Sequence, residues 1–402
     1  MRNIEILDTT LRDGEQAPGA VLTAAAKLNL AAALADMGVD AIEAGFPAAS
    51  AAELDAVRGV AREVSGPAIV ALARATDGDV DAAARALAPA KRKRIHVFIS
   101  TSEIHMERML RMTPGECMDR AVRAVRRASE HADEVEFSAQ DATRTDIHFL
   151  VTMFQEAARA GARYINVPDT VGYAQPAEFA KLILAVRGAL AAYNGGLRIS
   201  VHCHNDLGLA VANSLAAVEA GAQQVHVCVN GIGERGGNAS LEEVVMALRV
   251  RRDHYNADTT VRSDRIVPIS RMYSEITGIA VQANKAIVGA NAFAHASGIH
   301  QDGVLKDPST YEIMTPESVG WASRRIVVTK LSGRHGLAAR FAELGIQMDR
   351  DSLGRAYDIA MREGAGSREI DDRTLIAIAA EARRAGVPAT GAAAAPAVSL
   401  GD

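Results

Sequence analysis

Two histidines two positions apart are the residues that point most directly to chemistry. His202 and His204 stand in "RISVHCHND", whose apolar and β-branched residues predict a strand over 198–204. Side chains two apart on a strand project to the same side, and neutral imidazoles placed this way are good ligands for a divalent metal. The alternative is a pair of structural histidines. The metal is favoured because both residues stand at the carboxyl end of the strand.

Two further residues offer oxygen ligands to the same ion. Asp13 follows the first predicted strand, and Asn238 follows the eighth. In a closed barrel the first, seventh and eighth strands are neighbours, so these side chains meet the histidines. Two nitrogens and two oxygens, completed by water, suit Mg²⁺, Mn²⁺ or Zn²⁺ and leave room for a substrate.

An arginine next to the acidic ligand is the second chemical signal. The guanidinium of Arg12, beside Asp13 in "LDTTLRDGEQ", would stabilise an enolate or a carbonyl oxygen that gains charge. The alternative is a surface ion pair between Arg12 and Glu15.

A polar row in "VEFSAQDAT", residues 135–143, is the third signal. Read as a strand, it places Glu136, Ser138 and Gln140 on one face and apolar residues on the other. A polar row that faces inward costs stability unless it has a function. We expect Glu136 to lie deeper in the fold and Gln140 at the lip of a site. The amide of Gln140 can donate and accept hydrogen bonds but cannot act as an acid or a base.

Alternating strand and helix patterns supply the elements that must position these residues. The predicted strands are 3–8, 39–46, 67–74, 94–101, 133–140, 163–168, 198–204 and 223–230. The predicted helices are 23–37, 51–63, 79–88, 115–131, 147–160, 176–191, 208–220 and 240–251. Glycines at 38, 161 and 221 are typical of a helix end before the next strand.

Eight such units in about 250 residues predict an α/β fold, a (β/α)8 TIM barrel. The alternative is an open doubly wound sheet, which does not need eight regular units. We predict a catalytic barrel over 1–260, a small mostly α-helical C-terminal region with its linker over 261–385, and a disordered tail over 386–402. In a barrel, the chemistry should sit at the carboxyl ends of the strands, where the polar residues above collect.

Composition narrows the class of protein. The chain has 402 residues and a formal net charge of −5, and its basic run, 91–94, is interpreted as a solvated corner rather than a nucleic-acid patch. Three widely separated cysteines show no metal or disulfide spacing. No run is apolar for the roughly 20 residues of a membrane span, and the N-terminus lacks a signal-peptide core. We therefore expect a cytoplasmic protein without nucleic-acid or membrane partners.

The segment "GIGERG", residues 231–236, matches a dinucleotide-binding pattern but stands in the wrong place for one. That pattern belongs in the first turn of a βαβ unit, whereas this segment follows the eighth strand. A loop here needs glycine for close backbone approach. It could also accept a phosphate or the pantetheine end of a cofactor.

Six motifs together resemble the 2-isopropylmalate synthase branch of the metal-dependent Claisen-condensing barrels. They are "LDTTLRDGEQAPG", "EAGFPAAS", "VPDTVGYAQP", "HCHNDLGLAVANSLAAVEAGA", "NGIGERGGNASLEEV" and "AFAHASGIHQDGVLKDPSTYEIMTPESVG". The resemblance covers roughly residues 3–345, and homocitrate synthase, citramalate synthase and HMG-CoA lyase are relatives. It implies condensation of acetyl-CoA with a 2-oxo acid on a divalent metal, with release of CoA, in amino-acid biosynthesis.

The resemblance also implies roles for individual residues. It gives metal ligation to Asp13, His202, His204 and Asn238, catalysis to Arg12, and 2-oxo acid contacts to Arg12, His96, Ser138 and Thr170. His300 and Tyr311 would reach over an active site, their own or that of the partner in a homodimer. His300 is the candidate base that takes a proton from the acetyl-CoA methyl group.

Two departures from the family pattern bear on function. Full-length isopropylmalate synthases carry a C-terminal domain that binds leucine, and this sequence ends at 402 without it, so leucine feedback of the usual kind is not expected. The family has glutamate where this sequence has Gln140. We expect Gln140 to orient the acceptor or a water, and its neutral amide to favour an acceptor more anionic than a branched-chain 2-oxo acid.

The acceptor therefore stays open between several classes. Phe46 and Pro47 in "EAGFP" favour a small apolar side chain such as that of 2-oxoisovalerate. Gln140 also fits a homocitrate, phosphonomethylmalate or benzylmalate type of synthase. A metal-dependent C–C lyase on the same barrel, or a barrel that has lost catalysis and serves as a binding partner, are the remaining alternatives.

Overall fold

Eight parallel strands close into a barrel in the computed structural model, which describes residues 1–193, 196–364 and 369–385. In chain order they are β1 (Glu5–Asp8), β2 (Ala41–Gly45), β3 (Ala68–Arg74), β4 (Lys93–Ser100), β5 (Glu134–Gln140), β6 (Tyr164–Asp169), β7 (Arg198–Cys203) and β8 (Gln224–Val227). Each strand pairs with the next, and β1 pairs with β8 to close the ring. The predicted TIM barrel is confirmed, and the open doubly wound sheet is excluded.

Helices follow the strands and cover the outside of the barrel. They are α1 (Ala24–Met37), α2 (Ala51–Glu63), α3 (Asp77–Leu87), α4 (Pro114–Ser129), α5 (Ile147–Ala160), α6 (Pro176–Ala189), α7 (Ala210–Ala220) and α8 (Leu241–Val250). Side-chain oxygens before five of these helices accept a hydrogen bond from a first-turn backbone N–H, as N-caps do; the residues are Thr23, Ser50, Thr76, Thr113 and Asp146. The glycines at 38, 161 and 221 end their helices in the left-handed conformation, as the sequence predicts.

Both faces of the strands are buried, as is usual for a parallel barrel. Along β4, Ile95 and Val97 have no exposed surface and point to the helices, while Arg94 and His96 alternate with them and point to the interior. Along β4 two polar side chains, Arg94 and His96, therefore enter the barrel, where they must find partners.

Arg94 corrects the interpretation of the basic run 91–94 as a solvated corner. The first two residues of the run are exposed, but Arg94 is only 1% exposed. Its guanidinium donates to Glu136 Oε2 at 3.1 Å and Gln224 Oε1 at 2.8 Å, and it lies 3.5 Å from the ring centroid of Tyr164. Arg94 begins the inward row of β4, so it forms part of the barrel floor.

A second compact unit follows the barrel. The first unit comprises Met1–Gly289 and Ser318–Gly320; the second comprises Ala290–Glu317 and the described residues from Trp321 onwards. Helix α9 (Ile266–Thr277) belongs to the first unit because it packs against α1. The division expected after residue 260 stays a prediction. The predicted tail over 386–402 lies outside the described residues.

The second unit is mainly helical. Its helices are α10 (Gly298–Lys306), α11 (Arg334–Glu343), α12 (Arg350–Glu363) and α13 (Asp372–Arg384). The apolar faces of α11, α12 and α13 form a core of their own around Leu337, Phe341, Ile359 and Leu375.

Short segments complete the described structure. Two parallel strand pairs join Arg2–Asn3 to Ala257–Asp258 and Ala294–His295 to Arg325–Ile326. The short helical segments are Gly14–Gln16, Glu103–His105, Met106–Leu110, Ala142–Arg144, Val229–Gly231, Arg252–Tyr255, Ser263–Arg265, Pro308–Thr310 and Glu317–Val319. In the described ranges, no helix combines the length and apolar character needed to cross a membrane.

Candidate active site

A cleft opens at the carboxyl ends of the barrel strands, where a TIM barrel carries its chemistry. It brings together eight residues singled out from the sequence: Arg12, Asp13, His96, Ser138, Gln140, Thr170, His202 and His204. The remaining lining residues are Gln16, Leu72, Phe98, Asn166, Pro168, Glu234 and Arg235. The strand ends therefore converge on one site, although they come from across more than two hundred residues of sequence.

A carboxylate and two imidazoles form a buried cluster at one side of the cleft. Ligand atoms of Asp13, His202 and His204 all lie within 4.8 Å of one another. The two histidine Nε2 atoms are 3.1 Å apart, and His202 Nε2 lies 3.8 Å from Asp13 Oδ2. Two nitrogens bound to one ion at about 2.1 Å lie about 3.0 to 3.4 Å apart, so the spacing fits a shared divalent metal.

Asn238 lies next to this cluster and keeps an oxygen available. Its Nδ2 donates to Asp13 Oδ1 at 2.7 Å, while its Oδ1 is buried and has no protein partner within the described residues. A buried carbonyl oxygen without a partner is costly unless a ligand completes it. This donor set, two nitrogens and two oxygens, fits Mg²⁺, Mn²⁺ or Zn²⁺.

Gly233 allows Asn238 and Asp13 to approach each other. Its φ is 154°, and a Cβ there would collide with the Asn238 amide and lie 2.9 Å from Asp13 Oδ1. The loop after β8 therefore needs glycine for its close approach to Asp13 and Asn238, as the sequence predicts.

The charges of the cluster suit metal binding. Burial alone would raise the pKa of Asp13, but the guanidinium of Arg12 beside it holds that pKa well below its usual range. Burial lowers the pKa of His202, with His204 adding to the effect, and burial also lowers the pKa of His204. An ionised carboxylate and two neutral imidazoles are the forms that bind a metal.

Arg12 is fixed by two carboxylates rather than by Glu15. Its Nε donates to Glu43 Oε2 at 2.7 Å, and its Nη1 donates to Asp13 Oδ2 at 2.6 Å. The alternative of an ion pair with Glu15 is wrong, since Glu15 pairs with Lys27 at 2.8 Å. The side chain of Arg12 is 11% exposed and lines the cleft, so its guanidinium is rigid and faces the substrate space.

Glu43 connects Arg12 to a second row of hydrogen bonds. Its Oε1 lies 2.6 Å from His96 Nδ1, and His96 Nε2 lies 2.6 Å from Ser138 Oγ. Asn166 Nδ2 donates to the same Ser138 Oγ at 2.6 Å. Burial would raise the pKa of Glu43, but Arg12 and then His96 hold it well below its ordinary value. Glu43 therefore stays ionised and accepts from His96 Nδ1, and in a ring that carries one proton this contact places the proton on Nδ1.

A layer of charged groups supports the cleft from below. Glu136 lies deeper in the barrel than Ser138, as expected, and its Oε1 is 2.8 Å from His226 Nε2. The His226 ring makes edge contacts with His96 and His202 at centroid distances of 5.6 and 5.4 Å. The inward row of β5 thus places an acid at the floor and a hydroxyl in the cleft.

Gln140 and Thr170 stand at the lip of the cleft. The Oε1 of Gln140 accepts a hydrogen bond from Ser100 Oγ. Thr170 Oγ1 accepts from the backbone N–H of Asp141 at 2.8 Å, and the Thr170 carbonyl accepts from Arg235 at 2.7 Å. Both residues are held by the protein yet reach the substrate space.

Sequence reasoning missed the residues that shape the apolar side of the cleft. Leu72, Phe98 and Pro168 line it, while Phe46 and Pro47 are not among the described lining residues. Phe46 instead lies under the guanidinium of Arg74 at 5.5 Å. A strand-end argument could have found Leu72 and Phe98 by extending the inward alternation of β3 and β4.

His300 and Tyr311 belong to the second unit. Their rings contact each other edge to face, with centroids 4.4 Å apart, and both side chains are exposed. Their roles over an active site remain a prediction.

The fold and the site define a class: a TIM barrel with a candidate metal centre at its catalytic face. Residues 3–272 match the HMGL-like family model, and residues 287–364 match the homocitrate synthase post-HMGL domain-like model. The 2-isopropylmalate synthase of Pyrococcus furiosus is 53% identical over 379 residues, 93% of this chain and 76% of that protein. The 2-isopropylmalate synthase of Nitrosococcus oceani is 52% identical over 94% of this chain and 74% of its own length.

The chain therefore belongs to the HMGL-like family, in its 2-isopropylmalate synthase branch. Among solved structures, the HMG-CoA lyase of Brucella melitensis is similar in fold, with a TM-score of 0.59 and 21% identity over 69% of this chain and 100% of that chain.

Proposed function

We propose that this chain catalyses the acetyl-CoA-dependent Claisen condensation with a 2-oxo acid. It is an acyltransferase of the alkylmalate synthase type. The methyl group of acetyl-CoA loses a proton to a base, its carbon bonds to the ketone carbon of the acceptor, and the former ketone oxygen takes up a proton. Water then cleaves the thioester, giving a 2-substituted malate and free CoA. The observation that carries the proposal is the cluster of Arg12, Asp13, His202 and His204 in a chain about half identical to 2-isopropylmalate synthases.

Asp13, His202, His204 and Asn238 would hold the divalent metal. When bound, the ion supplies Lewis-acid polarisation of the acceptor's ketone. Asp13 contributes the charge, and the two neutral histidines contribute lone pairs that burial keeps unprotonated.

Arg12 would stabilise the oxygen that gains charge as the new C–C bond forms. Two carboxylates hold its guanidinium before the substrate arrives, so no reorganisation is needed during the reaction. Such a preorganised donor is worth about 3 to 4 kcal/mol of transition-state stabilisation.

His96, Ser138 and Thr170 would position the acceptor, and Gln140 would orient it or a water. The support for this proposal is that a fixed hydrogen-bond row ends at Ser138 in the cleft. His300 is the proposed base, with Tyr311 beside it, acting on its own subunit's cleft or on that of a partner in a homodimer.

One assay tests the proposed reaction. Purified protein is mixed with acetyl-CoA and a panel of 2-oxo acids, and free CoA thiol is followed with and without a chelator. We expect thiol release that needs both a divalent metal and an acceptor. No release with any acceptor would overturn the proposal, and C–C cleavage without thiol release from acetyl-CoA would indicate a lyase.

We further propose that the enzyme works in the cytoplasm as a homodimer. Three buried free cysteines are compatible with a reducing compartment. Light scattering tests the dimer, and a monomer would remove the proposal that His300 acts on a partner's cleft.

A further inference from the structure

A second chamber adjoins the cleft at the ends of β3, β4 and β5. Phe98 and Gln140 line both the cleft and the chamber, so these two side chains form a common wall. Much of the chamber lining is apolar and includes Met109 and Leu110, from the segment Met106–Leu110. That segment is a short π-helical turn, a feature that is frequent at functional sites.

Two guanidinium groups line this apolar chamber, Arg74 and Arg120. Arg74 pairs with Asp79 at 2.7 Å, so the charge of Arg120 is the one left for a ligand. The Nη1 of Arg120 lies 3.7 Å from Met112 Sδ. Within the described parts of the chain, Arg120 forms no ion pair, whereas Arg123 and Arg127 on the same helix pair with aspartates. The half-buried cation among apolar side chains thus lacks a counter-charge.

The wall between cleft and chamber is neutral. Gln140 brings no charge, and its Oε1 is occupied by the Ser100 hydroxyl, so its amide N–H groups remain as donors. A carboxylate at this position would repel an anion on its way to Arg120, and the amide does not. Ser138 and Gln140 are two residues apart on β5, which separates them by about 6.6 Å along the strand.

We infer that the chamber binds the distal anionic group of an elongated 2-oxo acid, with Arg120 as the specificity-determining residue. The inference rests on the proposed function and deepens it. An acceptor held by its 2-oxo acid group at the level of Ser138 would pass Phe98 and Gln140 with its methylene chain. Its far carboxylate would then meet the Arg120 guanidinium in surroundings of low polarity, where a charge-assisted hydrogen bond is strong.

The test compares two acceptors of equal chain length that differ in the distal group. 2-Oxoadipate carries the second carboxylate, and 2-oxohexanoate carries a methyl group instead. We expect kcat/KM to be at least about tenfold higher for 2-oxoadipate, because a hydrogen bond to a charged group has this magnitude. In Arg120→Leu the ratio should fall to near one. In Gln140→Glu it should fall severalfold.

The control is Arg123→Leu, which changes an exposed arginine on the same helix that is not among the residues lining the chamber and pairs with Asp77 at 3.5 Å. It should keep the parent ratio. A ratio near one in the parent, or a ratio that Arg120→Leu leaves unchanged, would overturn the inference. If Arg120→Leu instead raises the KM for acetyl-CoA equally with both acceptors, the inference is also overturned, since the chamber would then bind CoA.

Calorimetric binding separates a failure of this inference from a failure of the proposed reaction. The two acids are titrated into metal-loaded protein without acetyl-CoA, so the readout does not need turnover. Tighter binding of 2-oxoadipate in the parent, lost in Arg120→Leu, supports the chamber even if no thiol is released. Equal binding of both acids overturns the chamber even if thiol release with 2-oxoisovalerate supports the reaction.

Discussion

Glu43→Gln tests the hydrogen-bond row that supports the cleft. One oxygen of Glu43 accepts from Thr9 Oγ1 at 2.6 Å and from Arg12 Nε at 2.7 Å, and the other lies 2.6 Å from His96 Nδ1. An amide keeps only one of these oxygens. Because two donors share the first oxygen, the amide oxygen should stay with Thr9 and Arg12, and the amide NH2 should turn to His96.

That exchange would reverse the direction of the hydrogen bonds that run from residue 43 through His96 to Ser138 in the cleft. The NH2 group donates to His96 Nδ1, so the ring proton moves to Nε2 and donates to Ser138 Oγ. Ser138 already accepts from Asn166, so its own proton must turn into the cleft. Arg12 also loses a charged acceptor, and hydrogen bonds to charged groups are worth about 1.5 to 3 kcal/mol. At 1.36 kcal/mol per factor of ten, kcat/KM should fall by roughly 10 to 150-fold.

Two measurements follow this change. Thiol release gives kcat/KM, and nitrogen-15 NMR of the histidine rings reports which nitrogen of His96 carries the proton. Glu116→Gln is the control, because Glu116 also accepts from a backbone N–H and a hydroxyl but lies exposed at the start of α4. A rate within twofold of the parent, or a proton that stays on Nδ1, would refute the reasoning.

Three further predictions concern the metal centre and the barrel interior. Gly233→Ala should weaken binding of Mn²⁺ at least about tenfold in a metal titration, since its Cβ collides with Asn238; unchanged affinity with an unchanged circular dichroism spectrum would contradict this. Burial raises the pKa of Asp8 to about 7, so the folded chain holds a proton that the unfolded chain releases, and the unfolding free energy falls as pH rises from about 4 to 7. In the parent this titration lowers the free energy of unfolding by roughly 4 kcal/mol, and Asp8→Asn should remove that pH dependence. Urea unfolding of parent and variant at pH 5 and pH 8 measures this, and an equal difference between the two proteins at both pH values would count against it. Arg94→Met should destabilise the barrel by about 3 to 5 kcal/mol because it leaves Glu136 short of a counter-charge, and adding Glu136→Gln should recover part of that loss; no recovery would exclude this cause.

The sequence predicted the barrel well because interactions between residues close in the chain determine its strands and helices. Strand and helix periodicity, threonine and serine caps, and the glycines at 38, 161 and 221 all act within a few residues. The alternation of His202 and His204 is equally local, so the sequence could bring them to one side of β7. Glycine at Gly233 was expected because a loop at this position needs close backbone approach.

The missed features depend on contacts between distant strands. Arg94 looks like part of a surface run until the barrel closes and places it beside Glu136 and Gln224. The contact from Glu43 to His96 joins residues 53 positions apart, and that from His96 to Ser138 joins residues 42 apart. In strands buried on both faces, composition does not distinguish an inward Leu72 or Phe98 from an outward apolar residue. Composition alone therefore could not identify the apolar wall of the cleft; only the inward alternation along β3 and β4 could have done so.

The fate of the acetyl group tests the central claim most directly. Metal-loaded protein is incubated with acetyl-CoA carrying carbon-13 in its methyl group and with 2-oxoisovalerate or 2-oxoadipate, and the products are followed by NMR. The account predicts a product in which the labelled carbon is bonded to the former ketone carbon, and one molecule of free CoA for each molecule of that product. Free CoA accompanied only by labelled acetate would contradict it, because the cleft would then hydrolyse the thioester without making a carbon–carbon bond.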